Sequence, residues 1–430
     1  MPRPSSAERS SGATPDASSS DPSAGAPSGP AADRRSVAAD ELRSVGRAAG
    51  LDLVGLTGAE PLERTRRALE ERRAAGLHGG MQFTYRNPAR STDPSATLAG
   101  ARTVVVGARR YAEVGRTTED PPPGGPWGRV ARYARLDHYA DLRVALGAVA
   151  DHLRAAGWRA VVVADDNALV DRAVAHRAGL GWSGKSTNLL APGAGSWFVL
   201  GSVITDAPIG VDQLDRPVDD GCGPCRRCLD GCPTGAIVAP GVLDARRCLA
   251  WLVQAEGVFP VEHRTALGDR VYGCDDCQEV CPPNRVATSG REASRRDVPV
   301  EIAGARGGPI GPWLDVVALL ALADDDLLDA VDRWYVARRD PQHLRRNLLV
   351  VLGNVGDGDD AEVIGALGQA LADPRPLVRA HAVWAARRLG RDDLVAAVGE
   401  PADEVADPDG LVRAELARAV PRRAAAGARP

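Results

Sequence analysis

The residues with the clearest chemical potential are eight cysteines, which all lie between Cys222 and Cys281. The run Cys-x2-Cys-x2-Cys-x3-Cys-Pro begins at Cys222, a lone Cys248 follows, and Cys-x2-Cys-x3-Cys-Pro begins at Cys274. Two-residue spacers let three thiolates converge on one small inorganic cube, and the three-residue spacer carries the next sulfur towards a second cube. The pattern therefore predicts two 4Fe-4S clusters with four cysteine ligands each.

In bacterial ferredoxins the fourth cysteine of such a run binds the other cluster, and the same rule divides these thiolates into two sets. One cluster is predicted to be held by Cys222, Cys225, Cys228 and Cys281. The other is predicted to be held by Cys232, Cys248, Cys274 and Cys277. The displaced Cys248 departs from the symmetric ferredoxin pattern.

Two other uses of clustered cysteines compete with this interpretation. A disulfide framework is typical of small exported proteins, whereas this sequence has 430 residues and no secretory signal pattern. Paired Cys-x2-Cys motifs also build tetrahedral zinc sites, and this alternative stays open. The four-cysteine run nevertheless offers more closely packed thiolates than one zinc ion needs.

The stretch from Gly179 to Ser186 matches the phosphate-binding string G-x4-G-K-[ST]. Such a loop needs a strand before the glycines and a helix after them. Here residues 169–178 have helical periodicity, Gly179 is placed as a helix C-cap, and residues 196–205 form an apolar strand candidate. This order disfavours a nucleotide site, although the glycines suit close backbone approach to some ligand.

Composition and periodicity divide the chain into four parts and predict an α+β protein. Residues 1–35 are almost wholly Ser, Ala, Pro, Gly and charged residues, which predicts a disordered tail. Residues 36–214 alternate helical and strand patterns, as expected of an α/β or α+β domain, with strands at 101–107 and 160–164 and a helical stripe from Leu142 to Leu153. Residues 215–295 form the ferredoxin-like part, and residues 296–430 form a helical part.

An Asp-Pro repeat marks the helical part. Segments that begin at Asp340, Asp373 and Asp407 recur at spacings of 33 and 34 residues, and an apolar helical run follows. Each Asp is predicted to be a helix N-cap with Pro in the first turn. This periodicity predicts HEAT-like helical repeats.

Arginines recur at equivalent positions of these repeats, namely Arg346, Arg379 and Arg413, with Arg345 beside the first. A stripe of guanidinium groups suits a phosphate backbone, which predicts that Arg345, Arg346 and Arg379 bind nucleic acid. The alternative is that the equivalent arginines bond the Asp caps of their own repeats.

The overall amino-acid composition does not identify a binding partner. The formal net charge of −4 provides no overall basic field, so nucleic-acid binding would need a local patch. No run approaches the ~18 apolar residues that span a bilayer. We therefore expect a soluble, cytoplasmic protein that makes no membrane contact.

Several motifs together resemble the tRNA epoxyqueuosine reductase family, which depends on iron–sulfur clusters and cobalamin. From about Leu42 to about Gly390 they are His78-Gly-Gly-Met81, Arg90-x-x-Asp93-Pro94, Arg132-Tyr-Ala-x-x-Asp137, Val170-Asp171, the loop from Gly179 to Asn188, Gly195-Ser-Trp-Phe198 and the full cysteine arrangement. Two details depart from the family pattern: no Gly precedes Asp137, and His138-Tyr139 inverts the usual pair.

The resemblance implies a nitroreductase-like N-terminal domain that binds cobalamin, a domain with two 4Fe-4S clusters, and a helical-repeat domain that helps to hold tRNA. It implies reduction of epoxyqueuosine to queuosine at the wobble position of tRNA with a GUN anticodon. Electrons would come from an external donor of the flavodoxin or ferredoxin type and pass through the clusters to cobalamin. We expect a monomer.

The same resemblance implies roles for individual residues. The reaction needs a proton from a positioned acid, and the resemblance gives this role to Asp171. Judged by its local sequence alone, Asp171 would be a helix N-cap. Cobalamin contacts carry over to Arg90, Tyr133, Asp171, Ser196 and Asp275.

Two other functions remain open from the sequence. The chain could be a corrinoid and iron–sulfur reductase of another substrate, or a ferredoxin-like electron-transfer protein. The repeat domain argues against the first, because a small molecule needs no such extended surface.

Overall fold

The computed structural model describes residues 34–111, 120–289, 310–398, 407 and 410–423. The predicted disordered tail lies outside these ranges except for its last two residues. None of the described helices is both long enough and apolar enough to cross a membrane.

The described residues form a mixed α/β structure. The strands are β1 (Leu53–Gly58), β2 (Thr103–Arg110), β3 (Trp127–Val130), β4 (Ala160–Ala164), β5 (Trp182–Ser183), β6 (Leu189–Leu190), β7 (Phe198–Thr205), β8 (Ile237–Ala239), β9 (Val242–Leu243), β10 (Arg270–Tyr272) and β11 (Trp313–Asp315). The helices are α1 (Ala39–Ala48), α2 (Glu63–Ala74), α3 (Pro88–Ser91), α4 (His138–Ala155), α5 (Asp171–Arg177), α6 (Arg227–Asp230), α7 (Leu249–Leu252), α8 (Val261–Leu267), α9 (Asp276–Glu279), α10 (Pro282–Ser289), α11 (Val316–Ala321), α12 (Asp324–Ala330), α13 (Gln342–Val355), α14 (Ala361–Leu371), α15 (Pro376–Arg388), α16 (Asp392–Val398) and α17 (Leu411–Leu416).

A four-stranded antiparallel sheet with the order β1-β2-β7-β4 organises the N-terminal part. Alternate residues of a strand point to opposite faces. Val105 accordingly packs with α1 and α4, whereas Val104 and Val106 pack with α5. The strands predicted at 101–107 and 160–164 are confirmed as β2 and β4. The predicted helical stripe is confirmed in α4, whose Leu142 and Leu153 are fully buried.

The glycine loop follows the predicted order. Helix α5 ends at Arg177, the short β5–β6 hairpin comes next, and β7 follows. Gly179 has a φ of +71°, and a Cβ atom there would lie 2.6 Å from the carbonyl oxygen of Arg216. Glycine is therefore required at this turn for both conformation and space.

A small sheet joins all three parts of the chain. Its order is β10-β3-β11, so each part contributes one strand. Beside it, the ring of Tyr272 stacks on Trp334 with centroids 4.3 Å apart, and Trp334 Nε1 donates to the carbonyl of Ala134. One hydrophobic core runs from Val130 through Phe259 and on into the helical part. The cysteine-bearing part is thus held on two sides.

In the helical part, α13, α15 and α17 pack against one another in sequence order. They begin later than predicted, at Gln342, Pro376 and Leu411, so the predicted N-cap positions of the three Asp residues are wrong. Asp340 and Asp373 instead form Asx-type turns in front of their helices, in which a carboxylate accepts from the backbone amide two residues further on. Asp340 accepts from Gln342 N at 3.0 Å, and Asp373 accepts from Arg375 N at 2.8 Å. Asp407 lies three residues before the N-cap Gly410, and its carboxylate accepts from Val412 N and Arg413 N in the first turn of α17 at 3.1 Å each.

Candidate cluster and catalytic site

The structure brings the eight cysteines, all free and half-buried, into two groups of four. Burial, together with the nearby thiols of Cys228, Cys222 and Cys225, raises the pKa of Cys281 to about 11. Burial also raises the pKa of Cys277, helped by the thiols of Cys274, Cys248 and Cys232. In each case these neighbours are the other members of one predicted ligand set, and the assignment of the eight thiols as cluster ligands stays a prediction.

The elements that carry the thiols explain the grouping. The first group combines the loop around α6 with Cys281, which lies between α9 and α10. The second group combines Cys232, just after α6, with the residue before α7, the turn after β10 and helix α9. Four cysteine sulfurs are the ligand set of a 4Fe-4S cluster, so the donor chemistry of each group fits one cluster. In the described parts of the chain, no three Cys, His, Asp or Glu side chains meet the spacing for a single metal ion.

Asp171 is the first residue of α5. The N-cap is Val170, without a side-chain cap, so the alternative role of Asp171 as N-cap is wrong. Asp171 Oδ1 is buried and has no hydrogen-bond partner among the described residues. Burial raises the pKa of Asp171 well above its usual value, Asp165 raises it further and Arg172 opposes the rise. This carboxyl is suited to hold a proton at neutral pH.

Arg172, the residue after Asp171, lies near the second thiol group. Burial raises the pKa of Cys248, and the charge of Arg172, next to Asp171, is close enough to oppose that rise. The backbone N–H of Val170 donates to the carbonyl of Ser91 at 2.9 Å, which ties α5 to α3. Arg90, a predicted cobalamin residue, precedes Ser91 on α3, and its side chain is exposed. The bond between Ser91 and Val170 therefore brings the backbone of Arg90 near the backbone of Asp171.

Tyr133 and Asp275 lie near the second thiol group. Burial raises the pKa of Tyr133 well above its usual value, with Tyr272 and Asp275 as contributing neighbours. Asp275 Oδ2 accepts a hydrogen bond of 2.7 Å from the backbone N–H of Arg132. Burial nevertheless raises the pKa of Asp275 to about 6. Two of the predicted cobalamin residues are therefore neighbours.

Ser196 anchors the loop before β7 to the cysteine-bearing part. Its backbone N–H donates to Asn284 Oδ1 at 2.5 Å, and its hydroxyl accepts from Asn284 Nδ2 and Gln278 Nε2 at 3.0 Å each. Gln278 belongs to α9, which also carries Cys277. Ser196 is thus placed beside Asp275 and the second thiol group, although its own hydroxyl already has protein partners.

Several buried polar atoms in this region lack a partner, as a polar ligand site would require. Among the residues that the structure describes, they include Asp171 Oδ1, Asp275 Oδ1 and Trp197 Nε1, and Trp197 directly follows Ser196. Buried polar groups are normally satisfied, so such atoms indicate that something else completes the site. The residues present therefore fit the large polar cofactor predicted for this place.

Sequence reasoning missed a set of acidic side chains around these residues. Burial raises the pKa of three further phenols, those of Tyr111, Tyr139 and Tyr272. Partial loss of solvent contact also raises the pKa of Asp165, although about half of its side chain is exposed. Tyr139 lies near Asp165 and Asp171, and Tyr111 lies near Asp275 and Cys277. Their separation along the chain gives no pattern that spacing could detect.

The structure contradicts the predicted nucleic-acid role of Arg346. The side chain is fully buried, and it donates to the carbonyls of Ala255 (2.8 Å), Gly257 (2.5 Å) and Leu252 (3.1 Å). Its guanidinium also lies over the ring of Phe259. Arg346 therefore fastens α13 to the segment after α7 and is not exposed to a phosphate backbone.

Arg345 is likewise buried, and its predicted nucleic-acid role is also wrong. It donates to a carboxylate oxygen of Asp324 at 2.9 Å and to the carbonyls of Leu320 and Leu322. All of these acceptors belong to α11, α12 and their connection. The physical reason is the same in both cases, because α13 is covered on every side by neighbouring elements.

The remaining repeat arginines are half-exposed. Arg379 donates to the carbonyls of Asp373 and Pro374 at 2.8 Å each, and Arg413 donates to the carbonyl of Asp407 at 3.1 Å. These contacts support the alternative that Arg379 and Arg413 bond their own repeats. Arg346 makes no such contact, so the alternative fails there.

Comparisons with known proteins agree with this geometry. A family described as a 4Fe-4S double cluster binding domain matches residues 221–284, which include all eight cysteines, and the chain carries two 4Fe-4S clusters. The chain is 35% identical over 363 residues to the epoxyqueuosine reductase of Xanthomonas campestris pv. campestris, covering 82% of this chain and 96% of that protein. It is 34% identical over 366 residues to the epoxyqueuosine reductase of Pseudomonas aeruginosa, covering 82% and 94%.

Solved structures give the same relation in three dimensions. An epoxyqueuosine reductase crystallised with an epoxyqueuosine-modified tRNA-Tyr stem loop matches with a TM-score of 0.73 and 28% identity, covering 88% of this chain and 98% of that chain. The enzyme of the same name from Bacillus subtilis matches with a TM-score of 0.74 and 28% identity, covering 88% and 97%. The similarity extends over most of each protein, and this chain belongs to the epoxyqueuosine reductase family.

Proposed function

We propose that this chain reduces the epoxide of epoxyqueuosine at the wobble position of tRNA to give queuosine, with Asp171 as the proton donor. The observation that carries the proposal is the setting of Asp171: its pKa is raised, its buried Oδ1 has no partner among the described residues, and the next residue, Arg172, lies near Cys248 of the second thiol group. An acid and an electron source are the two things that this reduction needs at one place.

The overall step consumes two electrons and two protons, breaks both C–O bonds of the epoxide, forms a C=C bond and releases the oxygen as water. The raised pKa favours the protonated form of Asp171, because burial disfavours the carboxylate. Asp171 can therefore donate to the epoxide oxygen as that oxygen leaves carbon. The second proton comes from solvent, which also returns a proton to the carboxylate afterwards.

We assign one cluster to Cys222, Cys225, Cys228 and Cys281, and the other to Cys232, Cys248, Cys274 and Cys277. This division is supported by the neighbouring thiols that raise the pKa of Cys277 in one group and of Cys281 in the other. The second group lies beside Asp275 and near Arg172, so its cluster is the one next to the substrate.

The residues proposed to hold cobalamin are Arg90, Tyr133, Asp171, Ser196 and Asp275. Cobalamin, when bound, supplies a centre that can exchange two electrons, whereas each cluster delivers one at a time. Tyr133 and Asp275 contribute buried polar groups beside the second thiol group, and Arg90 contributes an exposed cation next to α5. The buried phenols around them keep water from the reacting atoms.

An external electron donor of the flavodoxin or ferredoxin type is proposed to dock at the first thiol group. The residues between its cysteines are exposed, including Arg226 and Arg227. Neither arginine has an ion pair within the described ranges. Flavodoxins and ferredoxins are acidic, so a local pair of cations would steer such a donor to this cluster.

The anticodon loop is proposed to contact the segment before α3. Phe83 has 45% of its surface exposed, and the neighbouring Arg86 is exposed as well. An exposed aromatic ring beside a cation suits stacking on an unpaired base and pairing with its phosphate. Arg379 remains a second candidate contact, since its guanidinium is half-exposed. Preference for a GUN anticodon, a monomeric state and a cytoplasmic location complete the proposal.

In fold terms, we infer a nitroreductase-like part over 36–214, a ferredoxin-like part over 215–295 and HEAT-like repeats over 296–430. The antiparallel sheet, the two thiol groups and the stacked helices α13, α15 and α17 support this division.

A turnover assay tests the proposed function. Anaerobic protein with assembled clusters and added cobalamin is mixed with a strong reductant and an epoxyqueuosine-bearing stem loop, and the nucleosides are analysed by mass spectrometry. We expect queuosine, which has one oxygen fewer. A chain that reduces an artificial acceptor but leaves the epoxide intact would be an electron-transfer protein, and the proposal would fall.

A further inference from the structure

Lys185 is the only lysine in the chain, in which all other basic residues apart from histidines are arginines. It belongs to the glycine loop that matches a phosphate-binding string, yet the preceding element is helix α5, which excludes that role on structural grounds. The chain has 52 arginines and this one lysine. The presence of an ammonium group at this position therefore needs another explanation.

The ammonium group of Lys185 contacts the backbone of the first thiol group. Its Nζ donates to the carbonyl of Gly223 at 2.5 Å and to the carbonyl of Cys225 at 3.0 Å. These two carbonyls belong to the tight loop that carries Cys222 and Cys225. An ammonium group is a compact point charge with freely rotating donors, whereas a guanidinium is a larger planar fork. The compact cation is therefore the better fit between two carbonyls of one turn.

The same glycine loop places a second donor on the same group. Trp182 Nε1 donates to Cys222 Sγ at 3.4 Å. Gly221 makes room for this ring, because a Cβ atom at that position would lie 2.7 Å from it. One loop thus supplies a cation and a direct sulfur hydrogen bond to the first group.

We propose that Lys185 and Trp182 set the reduction potential of the cluster held by the first thiol group. Taking up one electron from an external donor makes the cluster and its four thiolates one unit more negative. A fixed cation and an N–H donor nearby stabilise that reduced form more than the oxidised form, which raises the potential. The cluster of the first thiol group is thereby made easier to reduce, so electrons from an external donor enter there.

The inference rests on the proposed ligand set of the first cluster and is independent of the substrate. The test is an anaerobic redox titration of the full chain with both clusters, followed by electron paramagnetic resonance. The variants are Lys185→Met, Lys185→Arg and Trp182→Phe. Arg216→Met is the matched control, because it removes an exposed cation that bonds no carbonyl of the cysteine loop.

We expect Lys185→Met to make reduction of one cluster at least tenfold less favourable, which is about 59 mV for a one-electron couple. The other cluster should keep its potential. Lys185→Arg should recover most of the shift because it keeps the charge, Trp182→Phe should shift the same cluster in the same direction, and the control should shift neither.

Unchanged potentials in Lys185→Met with iron and sulfide content intact would overturn the inference. If Lys185→Met fails to assemble the first cluster, Trp182→Phe decides, and an unshifted potential there overturns it equally. A wild-type chain without two 4Fe-4S clusters would refute the ligand assignment, and this inference with it.

Discussion

Replacing Asp171 by Asn removes the proposed proton donor and changes little else. The carboxyl caps no helix, because the N-cap of α5 is Val170 without a side-chain cap. Its Oδ1 has no hydrogen-bond partner within the described residues. Asn has nearly the same shape, so the buried space stays filled. We expect the variant to keep its clusters and its fold.

The expected loss of turnover follows from the role of a positioned acid. General acid catalysis contributes about 10²–10⁴-fold to a rate, which corresponds to roughly 3–5 kcal/mol of activation free energy. A single-turnover assay with pre-reduced protein and epoxyqueuosine stem loop measures this loss without interference from product release. In the wild type, the rate should fall as pH rises through the raised pKa of Asp171, and this fall should be absent from the residual rate of the variant.

The same raised pKa predicts an effect on stability. A folded-state pKa above the unfolded value means that the folded chain keeps a proton that the unfolded chain releases. The free energy of unfolding therefore decreases as pH rises between the two pKa values. Asn cannot ionise, so Asp171→Asn should be at least as stable as the wild type at neutral pH.

Asp360→Asn is the matched control for this experiment. Asp360 caps α14 by accepting from Glu362 N at 2.7 Å, and Asn caps a helix equally well. Its turnover should equal that of the wild type. Undiminished single-turnover reduction by Asp171→Asn would refute the proposed acid, and so would a loss of turnover accompanied by an equal loss in the control.

Two further predictions address the arginines. Arg346→Met should lower the free energy of unfolding by about 2–4 kcal/mol, because three carbonyls lose their donor. The control Arg338→Met, at an exposed side chain, should change it little. The folded Arg346 variant should bind tRNA with unchanged affinity. Denaturant unfolding and a tRNA binding titration measure both, and weakened binding by folded protein would restore the nucleic-acid role. Double reversal, Arg226→Glu with Arg227→Glu, should slow reduction by an acidic donor and flatten its salt dependence, while reduction by dithionite stays normal; an unchanged salt slope in stopped-flow measurements would move the docking site elsewhere.

Features that depend on local spacing could be predicted from the sequence. The α4 stripe follows from a 3.6-residue period, and the helix before Gly179 follows from the same signal. The division of the cysteines into two sets is a prediction from their spacing and the ferredoxin rule. Cys248 lies apart from the other cysteines in the sequence, so its place in the second set stays a prediction.

Features that depend on distant packing could not be predicted. The repeat pattern predicts an exposed side chain at Arg346. Its burial comes from residues 252–257, about ninety positions earlier in the chain. The Asp340 error has a local cause, since an Asx-type turn and a helix N-cap share the same residue preferences. The raised pKa values of Tyr111 and Asp165 arise from burial between elements, which no single segment encodes.

The most direct test of the central claim counts electrons. Protein with both clusters reduced, with cobalamin added and free reductant removed, is mixed anaerobically with excess epoxyqueuosine stem loop. Two one-electron clusters hold enough electrons for about one epoxide per chain. We predict up to one queuosine per chain, formed as the resonance signals of both reduced clusters disappear. Queuosine formed while the clusters stay reduced, or clusters oxidised without queuosine, would contradict the account.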